Sequence, residues 1–210
     1  MNKLSYVLVV MIGLSACGES HDSARIMKLK NHIYLKKLSE REKIFYIDYV
    51  LTICECHKKL DVDRLIELEN EEIRTNEEYI AQLKTALSTF PLDSLAIYKL
   101  NEDVKAKKEQ IDDEYDGLSK GAYDCDYATM DNLSEEDGRK MRDIVGKIPA
   151  DLEQTKSFVR LSCPRESALY EHGLVCDAKE KELRIEEFKL NRAAAGFGIK
   201  LPYVLDHSAF

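Results

Sequence analysis

The chain has 210 residues, a formal net charge of −8 and 44% hydrophobic residues, which is enough for one good core or two small ones. The acidic balance argues against nucleic acid as a partner, because phosphate backbones require clustered Lys and Arg, and against electrostatic docking on anionic lipid. Only four prolines and nine glycines, with no convincing alternation of apolar and polar residues, predict an all-α fold.

Residues 1–16 have the pattern of a cleavable export signal. Lys3 supplies the positive charge of a short basic N-terminal region. The apolar run over 6–14 is too short to span a bilayer, which needs about 20 residues. The stretch Leu14-Ser15-Ala16-Cys17 resembles the lipobox of bacterial lipoproteins, whose cysteine is acylated and becomes the mature N-terminus. The resemblance implies a lipid anchor on Cys17. Position 18, directly after the cysteine, is Gly rather than Asp, so the resemblance also implies an outer-membrane position facing the periplasm.

A polar segment separates the predicted anchor from the first clear helix. Residues 17–38 are weakly patterned, so we expect a lipidated N-terminus and a tether with at most one helical turn. Ser39 and Glu42 then have the spacing of a capping box. The helix that follows carries an apolar stripe: Ile44, Ile47, Leu51 and Cys54. We expect a single helical domain over 39–210.

Two apolar seams with seven-residue spacing predict a long antiparallel helical hairpin over 61–118. Pro91 ends the first arm, and Asp93 or Ser94 caps the second. Folding the chain back near residue 92 places the seams against each other, as in a coiled coil. The facing pairs are 66/118, 73/111, 80/104 and 87/97. The alternative is an ordinary amphipathic helix pair within a small bundle, and that pair is antiparallel too.

The cysteines that follow Cys17 are expected to form disulfides, because the periplasm is oxidising. The base of the hairpin brings Cys125 towards Cys54 and Cys56. Cys54 lies on the apolar stripe, whereas Cys56 is nearer in register, so the choice between them stays open. A bridge from Cys56 to Cys125 would contribute about 4 kcal/mol in the loop-entropy model.

A second, local bridge is expected between Cys163 and Cys176. They flank a segment that predicts a short helical turn closed by Gly173, and their bridge would contribute about 3 kcal/mol. One cysteine is then left unpaired. A metal site in the Cys-Glu-Cys-His stretch at 54–57 lacks a second ligand pair, and a redox pair would need Cys-x-x-Cys spacing. We therefore expect a disulfide framework with no metal and no cofactor.

The rest of the chain predicts three further helices and an apolar tail. Ser134 caps a helix that ends before Pro149, and another helix covers about 150–161. The last helix opens at Asp177 and ends near Gly196. The tail beyond it is too apolar for a free end, so we expect it to pack across the bundle. An exposed strap for a partner is the alternative.

Eight acidic residues gather around the lower half of the predicted hairpin, because their positions on the two arms face each other. Opposite fields steer association, so this patch is the candidate surface for a basic protein. The alternative is a solvated face with neighbouring lysines as partners. The eight are Glu67, Glu69, Glu71, Glu72, Asp112, Asp113, Glu114 and Asp116.

The sequence carries no common catalytic motif. It has no Gly-x-Ser-x-Gly elbow, no glycine-rich phosphate loop and no His-Glu-x-x-His. His57 and His172 lie near cysteines, but a Cys–His nucleophile pair requires a free thiolate, which a disulfide would remove. We therefore expect a binding protein rather than an enzyme.

The function expected from these features is binding of another envelope or secreted protein by a lipid-anchored periplasmic module. An inhibitor or immunity protein against a basic toxin or cell-wall-degrading enzyme is the favoured version. The alternative is a structural or assembly lipoprotein. It would use its hairpin as a spacer or partner-binding arm and could self-associate.

Overall fold

The computed structural model describes residues 19–89 and 93–205, with side chains described from residue 23 onward. The described residues exclude the predicted signal segment 1–16, the predicted lipidation site Cys17, the predicted hairpin turn at 90–92 and residues 206–210. Throughout the described part of the chain every regular element is helical, so the all-α fold is confirmed.

Seven α-helices and two short 3₁₀ helices make up the described part of the chain. The α-helices are α1 (Glu19–Lys30), α2 (Glu40–Cys56), α3 (Val62–Ser88), α4 (Ser94–Asp131), α5 (Glu135–Lys147), α6 (Leu152–Ser162) and α7 (Glu166–Gly196). The 3₁₀ helices are Ile33–Leu35 and His57–Lys59.

The chain divides into two compact units, which differs from the single domain expected over 39–210. The first unit combines the described residues up to Cys56 with Cys125–Pro164. The second combines His57–Asp124 with the described residues from Arg165 onward. The apolar clusters of the described residues follow this division, with one in the first unit and two in the second. The first unit's cluster draws on residues that precede the predicted domain.

Residues 19–38 do not form the tether that the weak sequence pattern predicted. Most of this segment is helical, and it supplies three leucines to the first unit's core. Leu29 and Leu35 are fully buried, and Leu38 is nearly so. The pattern was weak because these leucines come from α1, a 3₁₀ helix and the loop after it, so they do not form one stripe.

An aromatic cluster around Phe158 of α6 forms the centre of the first unit. The Phe158 ring stacks on Tyr34 with ring centroids 4.8 Å apart, and Tyr46 lies 5.9 Å from it. Ile47 and Ile144 are buried in the same cluster. Offset or stacked aromatic pairs add to the stabilisation that area burial alone provides.

The predicted helix starts of the first unit are confirmed. The amide of Ser39 donates to Glu42 Oε2 at 2.7 Å, and the amide of Glu42 donates back to Ser39 Oγ at 3.4 Å, which completes the capping box. At the start of α5, the amide of Asp137 donates to Ser134 Oγ at 3.0 Å. Asp151 caps α6 in the same way.

Both disulfides lie in the first unit. Cys125 is bonded to Cys56, with Cα atoms 5.5 Å apart, so the structure decides between the two partners that the sequence left open. Cys54 is also bonded, and its partner is Cys163, with a Cα–Cα distance of 5.6 Å. The two bridges join α2 to the C-terminal part of α4 and to the end of α6. They therefore fasten the three chain segments at the points where they leave the unit.

The predicted bridge between Cys163 and Cys176 is wrong, and Cys176 carries a free thiol. The expectation required a turn closed by Gly173. Instead α7 runs unbroken from residue 166 to 196, so Gly173 is an internal helical residue and nothing folds Cys176 back. At 1.5 Å per residue, Cys176 lies about 15 Å along the axis from the start of α7.

The second unit is built from α3, α4 and α7. The first two run antiparallel, as predicted for the hairpin: Arg64 Nε lies 2.7 Å from Glu114 Oε1, and Lys108 Nζ lies 3.0 Å from Glu72 Oε1. At the end of the hairpin near its turn, the seam is buried, with Ile97 fully enclosed. Towards the base the seam opens into a cavity.

Helix α7 runs parallel to α3 and packs on it more extensively than any other pair of elements. Ion pairs follow the contact along its length: Lys179 Nζ lies 2.9 Å from Glu77 Oε1, and Lys84 Nζ lies 2.8 Å from Glu186 Oε2. The sequence predicted only the second half of α7 as a helix and did not indicate where it would lie.

The apolar tail after α7 packs against the second unit, as expected, up to the last described residue. Leu201 and Leu205 are buried. The fully buried carboxylate of Glu187 accepts hydrogen bonds from the amides of Val204 (2.7 Å) and Leu205 (3.2 Å) and from the Tyr79 hydroxyl (3.2 Å). This carboxylate therefore helps to hold the tail in place, together with the buried leucines and the Tyr98 hydroxyl, which donates to the Lys200 carbonyl at 2.9 Å.

Candidate functional site

A cavity of about 420 Å³ lies within the second unit, where α3, α4 and α7 meet. Its apolar wall includes Leu68, Ile73, Ile111 and the ring of Tyr115. Each of the three helices also contributes two carboxylates. These are Glu69 and Glu72 from α3, Asp112 and Asp116 from α4, and Asp177 and Glu180 from α7.

Only half of the predicted acidic patch reaches this cavity. The four that do are Glu69, Glu72, Asp112 and Asp116. Glu67 and Glu114 instead share the Arg64 guanidinium, at 3.1 and 2.7 Å. Glu71 lines a separate shallow depression, and Asp113 is exposed.

The two acids from α7 were not among the predicted site residues. Both acids belong to a single stripe on α7, whose members lie three, four and seven positions after the first. The stripe consists of Gly173, Cys176, Asp177 and Glu180. That spacing is visible in the sequence. The stripe was not recognised, because α7 was expected to start only at Asp177 and Cys176 was assigned to a disulfide.

A carboxylate, an imidazole and a thiol come together beside the cavity, and two of them, Glu69 and Cys176, also line it. His172 Nε2 lies 3.3 Å from Cys176 Sγ and 3.7 Å from Glu69 Oε2, and the three ligand atoms all lie within 4.8 Å of one another. His172 and Cys176 are four residues apart on α7, so both side chains lie on one face of the helix. Glu69 approaches from α3.

Burial and crowded negative charge shift the titration of this site. Burial raises the pKa of Glu69, and Asp177 and Glu72 raise it further. Burial also raises the pKa of Asp112, with Glu72 adding to the effect and Lys108 opposing it. The cavity is therefore a region where negative charge accumulates.

The pKa values of the neighbouring Cys176 thiol and Tyr115 phenol are raised as well. Burial raises the pKa of the Cys176 thiol, and the surrounding carboxylates, Glu69 first, raise it further. Burial raises the pKa of Tyr115 to about 12, with Tyr123 and Glu69 contributing. Because the thiolate is the nucleophilic form of cysteine, a raised thiol pKa is the opposite of what nucleophilic catalysis needs.

Cations already neutralise part of the charge around the cavity. Lys108 Nζ lies 3.0 Å from Glu72, and Arg184 Nη2 lies 2.5 Å from Glu180. The described residues that line the cavity itself include no Lys or Arg. The arrangement is therefore suited to receiving positive charge from outside.

Searches for related proteins found no matching family model, no matching curated protein and no matching solved structure. Within residues 19–89 and 93–205, none of the helices has the length and apolar character needed to cross a bilayer.

Proposed function

We propose that this chain is a lipid-anchored envelope protein that binds a basic partner protein, with the acidic cavity of the second unit as the recognition site. The observation that carries the proposal is the convergence of six carboxylates from three helices on one cavity. A cleft lined by one sign of charge focuses its field and raises the rate at which oppositely charged partners associate.

The cavity has the dimensions and lining to receive a lysine or arginine side chain. Its volume of about 420 Å³ falls within the usual range for binding pockets. The apolar wall, formed in part by Ile73 and Ile111, would contact the methylene stem while the carboxylates bind the charged head. A buried arginine is a common energetic anchor of protein interfaces.

The class of partner follows from the predicted address and from the charge. The lipobox-like sequence at Cys17 supports a protein held at the outer membrane and facing the periplasm, and the net charge of −8 supports a basic ligand. Within that class we favour an inhibitor or immunity protein against a toxin or a cell-wall-degrading enzyme.

A structural or assembly role for the hairpin has less support. That role needs an apolar seam open to further helices. Helix α7 already packs along α3, and seam residues such as Ile80 and Val104 are buried in the unit's own core. An incoming helix would therefore have to displace α7.

The test begins with capture from envelope and secreted fractions, using the full chain in detergent at low and moderate salt. Each captured protein is identified, purified and titrated against two variants of equal charge. Asp112→Asn with Asp116→Asn changes the cavity, and Glu71→Gln with Asp113→Asn changes acids outside it. Removing charges that pair with a buried partner group costs about 2 kcal/mol or more, which is at least about 30-fold in affinity.

The expected result is one basic partner that binds in a salt-sensitive manner to the wild type and to the second variant, and more weakly to the cavity variant. Equal weakening by both variants would show that overall charge, rather than the cavity, attracts the partner. Capture of the chain itself or of a membrane assembly, unaffected by either variant, would favour the structural role.

A further inference from the structure

We infer that Glu69, His172 and Cys176 form a binding site for a divalent transition-metal ion, with Zn²⁺ as the best match to the ligands. One carboxylate oxygen, one imidazole nitrogen and one thiolate sulfur would bind the ion. The inference goes beyond partner binding, because a metal site of this kind needs no second protein.

The spacing of the three side chains suits a tetrahedral ion. Zn²⁺ lies about 2.3 Å from sulfur and about 2.0–2.2 Å from nitrogen or oxygen, so neighbouring ligand atoms around it are about 3.3–3.7 Å apart. His172 Nε2 is already 3.3 Å from Cys176 Sγ and 3.7 Å from Glu69 Oε2. All three atoms lie within 4.8 Å of one another, so small side-chain rotations complete the geometry.

The backbone that presents these ligands is regular. His172 and Cys176 lie one helical turn apart within α7, and Glu69 lies within α3, which is the helix that packs most extensively on α7. Ligands carried by packed helices are held more accurately than ligands on loops. The His-x-x-x-Cys spacing is therefore a chelating pair that the helix itself pre-forms.

Glu69 has a polar atom that needs a partner. Its Oε2 is buried and accepts no hydrogen bond within the described part of the chain. A buried acceptor without a partner costs about 1–3 kcal/mol, and a bound cation would remove that cost.

The ligand types select among metals. Thiolate and imidazole favour borderline-soft ions such as Zn²⁺, whereas Ca²⁺ and Mg²⁺ prefer six or more oxygen ligands. A carboxylate and a thiolate together balance the two positive charges of the ion. Three protein ligands would leave a fourth position for water or a further ligand, an arrangement typical of catalytic zinc sites.

The experiment measures metal binding by the full chain, purified in detergent and freed of metal with a chelator under argon. Zn²⁺ affinity is measured by competition with a chelating dye, and Co²⁺ is added separately as a spectroscopic probe. We expect one ion per chain and a thiolate-to-cobalt charge-transfer absorption. In addition, Zn²⁺ should protect Cys176, the free cysteine among the described residues, from a thiol reagent.

Variants assign the ligands. Cys176→Ser and His172→Gln should each weaken Zn²⁺ binding about 100-fold or more, because loss of outer-shell contacts alone weakens metal sites about 10–100-fold. Glu69→Gln should also weaken it, and its matched control is Glu71→Gln on the same helix. His57→Gln is the control for the histidine. Neither control should change the affinity.

Three outcomes would overturn the metal site. One is the absence of charge-transfer absorption from the wild type, which does not depend on any variant folding. Another is Zn²⁺ affinity that survives Cys176→Ser. The third is Ca²⁺ binding as tight as Zn²⁺ binding, which would show that the carboxylates collect cations without the thiol and imidazole. None of these outcomes bears on capture of a basic partner.

Discussion

The two units hold their cores together in different ways. The first has two disulfides and an aromatic cluster around Phe158. The second buries polar groups: the side chains of Asn76, Asn101 and Asn191 are buried and have amide atoms without a hydrogen-bond partner in the described part of the chain. It also contains the acidic cavity and the free thiol.

This difference suggests a structural role for the disulfide-bonded first unit and a binding role for the second. Buried polar groups without partners and like charges brought together both lower stability. Proteins usually depart from good packing where function requires it. We therefore expect the second unit to carry the binding chemistry, while the first unit's covalent links keep it folded even though its apolar core is small.

Removing the disulfides should have the largest effect. The Cys54–Cys163 bridge spans 109 residues and the Cys56–Cys125 bridge spans 69, and loops of these lengths predict about 4–5 kcal/mol for each bridge. With both bridges replaced by alanine pairs, hydrogen exchange should show α2, α5 and α6 losing protection, while α3 and α7 keep theirs. Equal loss of protection in all five helices would show that the disulfides do not stabilise the first unit separately from the second.

Cys176→Ser is the matched control for that experiment. It removes a half-buried thiol that is not in a disulfide, so metal-free protein should lose little stability in either unit. A large loss would mean that the thiol packs as a core residue.

Glu187→Gln should have the next largest effect, because it weakens the hydrogen bonds that the carboxylate accepts from the end of the tail. Hydrogen bonds to a charged acceptor contribute about 1.5–3 kcal/mol, and the carboxylate accepts three donors, the amides of Val204 and Leu205 among them. We expect these two amides to exchange faster by about 10-fold or more. Lys189→Gln, an exposed change on the same helix, should leave their exchange unchanged.

The accuracy of the sequence predictions also differs between local and distant features. The caps at Ser39 and Ser134, the antiparallel arms and the approach of Cys125 to the Cys54/Cys56 pair were predictable, although the choice of Cys56 was not. Each depends on residue spacing within a helix or on folding the chain at one turn. The Cys54–Cys163 bridge and the position of α7 depend on packing between segments more than 100 residues apart, which no local period encodes.

The candidate site shows the same limit. Four of its six cavity carboxylates followed from the hairpin register. The other two, and the link between Glu69 and His172, required knowing that α7 begins at Glu166 and runs parallel to α3. Gly173 was misread as a stop because glycine often ends helices. Within a helix it costs only about 1 kcal/mol, and packing offsets that cost.

Asn76→Leu should sharpen the contrast by stabilising the second unit. The Asn76 side chain is fully buried, and neither of its amide atoms has a hydrogen-bond partner in the described part of the chain. An apolar residue of similar size removes that cost, so the free energy of unfolding should rise by about 1–2 kcal/mol. Asn70→Leu, at an exposed position of α3, should change it by less than about 0.5 kcal/mol. Destabilisation by Asn76→Leu would imply that the amide has a partner after all.

The smallest expected effect is an opposite pH response of two carboxyl groups, one from each unit. Burial and the neighbouring Glu72 raise the pKa of Asp112 above its unfolded value, near 4. Its folded state then binds a proton more tightly, so stability falls as pH rises from about 4 through the folded pKa.

Glu42 of the first unit behaves in the other direction. Hydrogen bonds from Lys147 and Ser39 lower its pKa to about 2, so its contribution is present above the unfolded pKa and is lost as pH falls towards about 2. Unfolding measured from about pH 2 to 7, with hydrogen exchange to separate the units, should therefore show that Asp112→Asn removes a decrease in stability with pH. Glu42→Gln should remove an increase. Because both groups contact solvent, added salt should reduce both effects, and slopes of the same sign would contradict the comparison.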